Sequence, residues 1–134
     1  MKILLVVVVL GLSTLFGPVV PLNAQEKKED ELLLFLMAAR NAAKAGWADK
    51  AIQRYDAYLK KNPEDKDARL EFADYLQDHG YYEKAGIHYD ILIQKIGGVQ
   101  EGTDGFTKKL MLNAARNAFK NKNEYRAVEY YKQT

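Results

Sequence analysis

Side chains that could perform catalysis or bind a metal are few in this sequence. The histidines are His79 and His88, nine positions apart, and there is no cysteine. Zinc sites use Cys or closely spaced His, and these two histidines lack the spacing of a ligand pair. Asp74 and Asp78 form an i, i+4 acidic pair, which could do acid–base work but on a helix surface is usually solvated charge. We therefore expect both histidines to be structural and no metal to be bound.

The only serine, Ser13, lies in a segment with the pattern of a secretory signal peptide. Lys2 precedes an apolar run over residues 3–20, and the small residue Ala24 follows it. We predict a signal peptide over residues 1–24, and hence export to the periplasm or secretion. The alternative is an uncleaved anchor in the inner membrane, because a run of about 18 residues lies at the lower limit for a span. Cleavage would leave neither Ser nor Cys, which excludes both as nucleophiles.

Composition narrows the function further. The chain has 134 residues, 48% of them apolar, with 20 Lys and Arg against 18 Asp and Glu. No basic stripe accompanies this nearly neutral balance, so we expect no nucleic-acid partner. No glycine-rich phosphate loop follows a predicted strand, so we expect no cofactor and no enzymatic activity. Residues 25–30 form a charged leader before the remaining domain, 31–134.

The domain repeats itself. Five positions recur at one constant offset along the chain: Ala39, Gly46, Ala51, Tyr55 and Leu59 match Ala73, Gly80, Ala85, Tyr89 and Ile93. A third copy contains the segment AARNA at 114–118, which is identical to residues 38–42 of the first copy. The third copy supplies Ala115, Ala127 and Tyr131. The third copy is displaced further by a Gly-rich loop at 97–105, which is either a hinge or a tolerated insertion.

Each copy predicts two helices joined at a glycine. Apolar residues recur at helical spacing on both sides of Gly46 and Gly80, and glycine readily adopts the positive φ that ends a helix. In the third copy Lys122 replaces this glycine, so we expect Asn121 or Asn123 to take the positive φ instead. The predicted helices span residues 30–45, 47–61, 65–79, 81–96, 107–121 and 123–133.

These residues resemble the tetratricopeptide repeat family, whose unit has two helices and a length of about 34 residues. A small residue in the first helix, a turn Gly, then Ala and an aromatic in the second helix, and a final Pro are found here as Ala39, Gly46, Ala51, Tyr55 and Pro63. The resemblance implies an all-α protein, a right-handed α-solenoid with repeats at about 31–64, 65–98 and 106–134. It also implies a protein or peptide ligand in the concave groove lined by the first helices.

Carried onto this sequence, the groove positions are Leu33, Leu36, Arg40, Lys44, Leu70, Asp74, Gln77, Leu112, Arg116 and Phe119. The Lys and Asn clamp by which chaperone-receiving members hold a terminal carboxylate is missing at these positions. Leu36, Leu70 and Leu112 could form the apolar floor of a peptide groove. Equally, they could complete the core of the repeats, as leucine often does.

Both ends of the domain also suggest assembly. Six apolar residues in a row, at 32–37, predict a helix buried on more than one side. No polar capping helix follows the third copy, so we expect self-association or docking through the C-terminal end. The predicted function is a non-catalytic scaffold of an exported cell-envelope complex, in envelope assembly or polysaccharide export. The alternatives are a carbohydrate-facing or enzyme-accessory module that uses Trp47, and the N-terminal fragment of a longer repeat protein.

Overall fold

The computed structural model describes residues 21–97 and 104–134, and these form helices and short turns, without a strand. The six helices of this part of the chain have the following bounds: α1 Leu22–Lys44, α2 Ala48–Lys61, α3 Lys66–Asp78, α4 Tyr82–Lys95, α5 Gly105–Lys120 and α6 Glu124–Tyr131. The predicted all-α class is thus confirmed. From α2 onward each helix begins and ends within two positions of its predicted bounds.

The first helix begins earlier than predicted. We expected it at residue 30, after a charged leader at 25–30, but α1 begins at Leu22. No glycine or proline lies between Leu22 and Gly46, and Lys27 and Glu31 form an i, i+4 pair of opposite charge. The helix can therefore extend towards the N-terminus as far as the residue after Pro21. The predicted cleavage site after Ala24 lies within α1, and the apolar run before it lies outside the described residues. Of the helices that the structure describes, none is both long and apolar enough to span a bilayer.

Two compact units divide the chain, one up to Leu34 and one over Phe35–Thr134. In the first, residues 21–31 of α1 are exposed to solvent. In the second, α3 packs against α4, α4 against α5 and α5 against α6, and α3 also contacts α2 and α5. The following account concerns the second unit.

The same turn joins the helices of each consecutive pair, α1–α2, α3–α4 and α5–α6. The φ angle is positive at Gly46 (75°), Gly80 (81°) and Lys122 (60°). The residue after each donates its N–H to the carbonyl five positions earlier: Trp47 to Ala42 at 3.0 Å, Tyr81 to Leu76 at 2.8 Å and Asn123 to Ala118 at 2.8 Å. This is the Schellman pattern, which satisfies the last carbonyls of the first helix.

The third turn corrects one prediction. Lys122 itself adopts the positive φ, and neither Asn121 nor Asn123 does: Asn121 has φ −82° and Asn123 has φ −100°. Asn123 caps α6 instead, because its side chain accepts a hydrogen bond from the Arg126 N–H at 3.2 Å. The third turn therefore keeps the positive φ of the first two turns although its residue is a lysine and not a glycine.

Small residues at equivalent positions form the seams between the helices. Ala39, Ala51, Ala73, Ala85 and Ala115 are completely buried, and Ala127 is 3% exposed. Tyr55 and Tyr89 fill the space beside them, with 2% and 1% exposure. Tyr131, predicted to do the same in the third pair, is 44% exposed, because no described element packs over that side of α6.

Candidate functional site

The buried tyrosine of the first pair organises a polar cluster between α1, α2 and α3. Tyr55 donates its hydroxyl hydrogen to Glu71 Oε1 at 2.6 Å. Arg40 donates two hydrogen bonds to the same carboxylate, from Nε to Oε1 at 2.8 Å and from Nη2 to Oε2 at 2.6 Å. The hydrogen bonds from Arg40 hold the pKa of Glu71 below its ordinary value. This Tyr55 cluster links the first pair of helices to the first helix of the next pair.

A second cluster occupies the equivalent position one repeat further on, between α3, α4 and α5. Tyr89 donates to Asp74 Oδ1 at 2.7 Å, and Asn113 Nδ2 donates to the same oxygen at 2.8 Å. Lys109 Nζ lies 3.5 Å from Asp74 Oδ2. Asp74 stands at the position of Arg40, and Asn113 at that of Glu71. The Tyr89 cluster therefore keeps the position of the first one but reverses the charge of its first helix.

Both tyrosines act as fixed hydroxyl donors. Burial raises the pKa of Tyr55 and of Tyr89 well above the ordinary value, and hydrogen bonding to a carboxylate raises each further. Both phenols therefore stay protonated and keep the hydrogen that each donates to its carboxylate. Sequence reasoning identified the two tyrosines as packing residues but missed the clusters. The available signal was the acid or amide at the matching position of the following pair's first helix, Glu71 and Asn113.

In the third pair the equivalent residues lie open. Arg116 and Tyr131 correspond to Arg40 and Tyr55, yet Arg116 is exposed and makes no ion pair or hydrogen bond with the described side chains. Phe119 and Val128 are 64% and 52% exposed. We call Arg116, Phe119, Val128 and Tyr131 the end face.

Three of the four positions of the end face are buried in at least one earlier pair, whereas Arg40, the counterpart of Arg116, is exposed. Val128 corresponds to Ile52, which is 7% exposed, and Phe119 corresponds to Gln77, which is also 7% exposed. Gln77 also accepts a hydrogen bond from the Tyr89 hydroxyl of its own pair, at 3.0 Å. At Phe119, Val128 and Tyr131 the last described pair thus exposes side chains whose counterparts Gln77, Ile52 and Tyr55 are buried.

The ten predicted groove residues have different surroundings. Leu36, Leu70 and Gln77 are buried, with 7%, 4% and 7% exposure, so the two leucines take the core role that the sequence left open. Arg40 and Asp74 belong to the polar clusters, and Leu112 is half-buried. The remaining four are exposed: Leu33, Lys44, Arg116 and Phe119.

The histidines have structural surroundings. His79 ends α3, with Nδ1 2.8 Å from the Tyr75 carbonyl oxygen. His88 packs edge-on against Phe72 and lies 3.3 Å from Arg69 Nη1, and burial lowers its pKa. Residues 21–97 and 104–134 contain no group of His, Cys, Asp or Glu that could hold a metal ion.

Two further features have some of the properties of ligand sites. Trp47 is 55% exposed, but Lys50 Nζ lies 4.7 Å from the centre of its ring and covers one face. A cavity of about 40 Å³ lies between α4, α5 and α6, and the buried Asn117 faces it with an Oδ1 atom that lacks a described partner. That volume suits one or two water molecules rather than an organic ligand.

Comparison with family models, with curated proteins and with solved structures finds no match to this chain.

Proposed function

We propose that the protein is a right-handed α-solenoid of three tetratricopeptide-type repeats and that it serves as a non-catalytic scaffold for protein binding. Two recurrences support the repeat architecture. The Schellman turn has the same hydrogen bonds at Gly46, Gly80 and Lys122, and the clusters around Tyr55 and Tyr89 link consecutive pairs at equivalent positions. Elements that contact mainly their neighbours in the chain are what a solenoid requires.

The end face is the observation that carries the binding role. Its apolar members Phe119, Val128 and Tyr131 are exposed, whereas their counterparts in an earlier pair, Gln77, Ile52 and Tyr55, are buried. Aromatic residues and Arg together are typical of the centres of protein interfaces. The proposed scaffold therefore binds a protein partner through the end face. The predicted groove contributes through the exposed Arg116 and Phe119 and the half-buried Leu112, all on α5.

An exported setting is part of the same proposal and rests on the signal-like sequence of residues 1–24. In this setting the scaffold would belong to a complex of the cell envelope, either periplasmic or secreted. The lack of Ser and Cys after residue 24 supports a non-catalytic role.

Site-specific photocrosslinking in the native host tests the binding role. A photoreactive amino acid at Val128 is compared with one at Gln53, which is exposed on α2 and lies outside both the groove and the end face. We expect Val128 to give a discrete protein adduct that Gln53 does not give. If the two positions give the same adducts, or if neither gives any while the variants stay folded and exported, the end face does not hold a partner and the proposal fails.

A further inference from the structure

The internal clusters indicate what the end face can recognise. In the Tyr55 cluster, an Arg on the first helix and a Tyr on the second hold one carboxylate of the incoming helix. The third pair has the same two residue types in the same register, Arg116 and Tyr131. The second pair does not, because Asp74 stands at the position of Arg116. The end face thus carries the set that accepts an acid in the first pair.

We propose that the end face binds an α-helix of a partner protein that presents a carboxylate to Arg116 and Tyr131, in the way that Glu71 meets Arg40 and Tyr55. This inference rests on the proposed scaffold function and adds the chemistry of the partner. The residue after Glu71 is Phe72, whose ring stacks on Tyr55 with centroids 4.9 Å apart. The recognised helix therefore carries an acid followed by an aromatic residue, on a face that is otherwise apolar enough to cover Val128 and Phe119.

A second copy of this chain fits less well. If α1 of another copy stacked on the end face in the register of α3, Met37 would stand at the position of Glu71. Met37 is 47% exposed and could cover apolar area, but its thioether offers Arg116 no negative charge. Charge complementarity therefore favours a partner with an acidic helix over head-to-tail stacking of identical copies.

The chain itself supplies the probe for this inference. A fluorescently labelled peptide of residues 65–80 contains the whole of α3, its capping Asp65 and the Glu71–Phe72 pair. The full protein is titrated into this peptide, and binding is followed by fluorescence anisotropy at low and high salt. Arg116→Glu is the test variant, and Lys108→Glu, at an exposed lysine on the same helix, is the charge-matched control.

We expect the wild-type protein to bind the peptide saturably, with an affinity that falls as salt rises. Arg116→Glu should weaken binding about tenfold, as expected for loss of a charged pair and its replacement by repulsion, whereas Lys108→Glu should change it less than about twofold. A peptide with Glu71→Lys should restore binding to Arg116→Glu. This compensation would exclude exchange of the peptide with the protein's own α3, because that site contains Arg40 and not Arg116.

Three results would overturn the inference outright, and a fourth would separate it from the scaffold function. One is the absence of saturable binding at millimolar peptide with protein that melts normally. Another is equal loss of affinity in Arg116→Glu and Lys108→Glu. The last is concentration-dependent self-association in sedimentation that Val128→Glu abolishes, which would identify a second copy as the occupant. If Val128 still crosslinks to a partner while Arg116→Glu changes neither that adduct nor peptide binding, the scaffold function stands and the acidic-helix inference falls.

Discussion

Replacing Lys122 with glycine should stabilise the protein, because Lys122 has the left-handed backbone that glycine has at the two equivalent turns. A side chain with a Cβ costs about 1–2 kcal/mol in this conformation. Glycine offsets about 0.5–1 kcal/mol of this gain, because it raises the conformational entropy of the unfolded chain. The net expectation is a gain of roughly 0.5–1 kcal/mol, which corresponds to a rise in melting temperature of about 2–8 °C for a domain of this size.

Urea unfolding followed by circular dichroism measures the effect, and two variants serve as controls. Lys122→Ala removes the charge but keeps the Cβ, so its stability should stay close to that of the wild type. Gly80→Ala should lower stability by about 1 kcal/mol through the backbone alone, because a Cβ there would meet no atom within 4 Å. If Lys122→Gly is no more stable than Lys122→Ala at an unchanged m-value, the third turn is not the equivalent of the first two and the repeat argument loses its main support.

Three further predictions concern single side chains. Glu71→Gln should lower the free energy of unfolding at pH 7 by about 1 kcal/mol. The difference from the wild type should shrink as the pH falls below the ordinary carboxyl pKa of 4.5, and it should vanish below the lowered pKa that Glu71 has in the folded protein, because the wild-type side chain is then also neutral. Because burial lowers the pKa of His88, the wild type should lose stability as the pH falls below 6.5, and His88→Gln should flatten this slope in pH-dependent thermal melts. Gly86→Ala should raise the free energy of unfolding, measured by urea denaturation, by about 0.5–1 kcal/mol. Alanine is the better helix former, and the added Cβ would only touch Asn117 Nδ2 at 3.4 Å.

The helical class and the helix bounds could be predicted because the sequence period and the turn glycines are local signals. The bounds of α2 to α6 follow from Gly46, Gly80 and the alanine spacing. The start of α1 could not be placed in this way, since the charged residues after Ala24 suggested a leader while nothing in them opposes a helix. Local propensity there allows both states.

The polar clusters were less accessible to sequence reasoning. A tyrosine at a packing position predicts burial, but the carboxylate that accepts from its hydroxyl lies on another helix, the following one for Tyr55 and the preceding one for Tyr89. Burial of Leu36 and Leu70 was likewise undecided, because a leucine on the first helix can face either the core or the groove. Only the packing of each first helix against its neighbours separates these two cases.

The reversal of charge between the two clusters also bears on how the chain reaches its fold. Repeats with similar sequences can dock in the wrong order, and such misassembly is a recognised failure of repeat proteins. If a second chain's α3 docked on the second pair in place of α5, Glu71 would meet Asp74, acid against acid. If α5 docked on the first pair, Asn113 would leave Arg40 without a carboxylate. Each wrong arrangement loses a charge pair that the correct one keeps, so the order of the helices is encoded in their electrostatics as well as in the length of the connections between them.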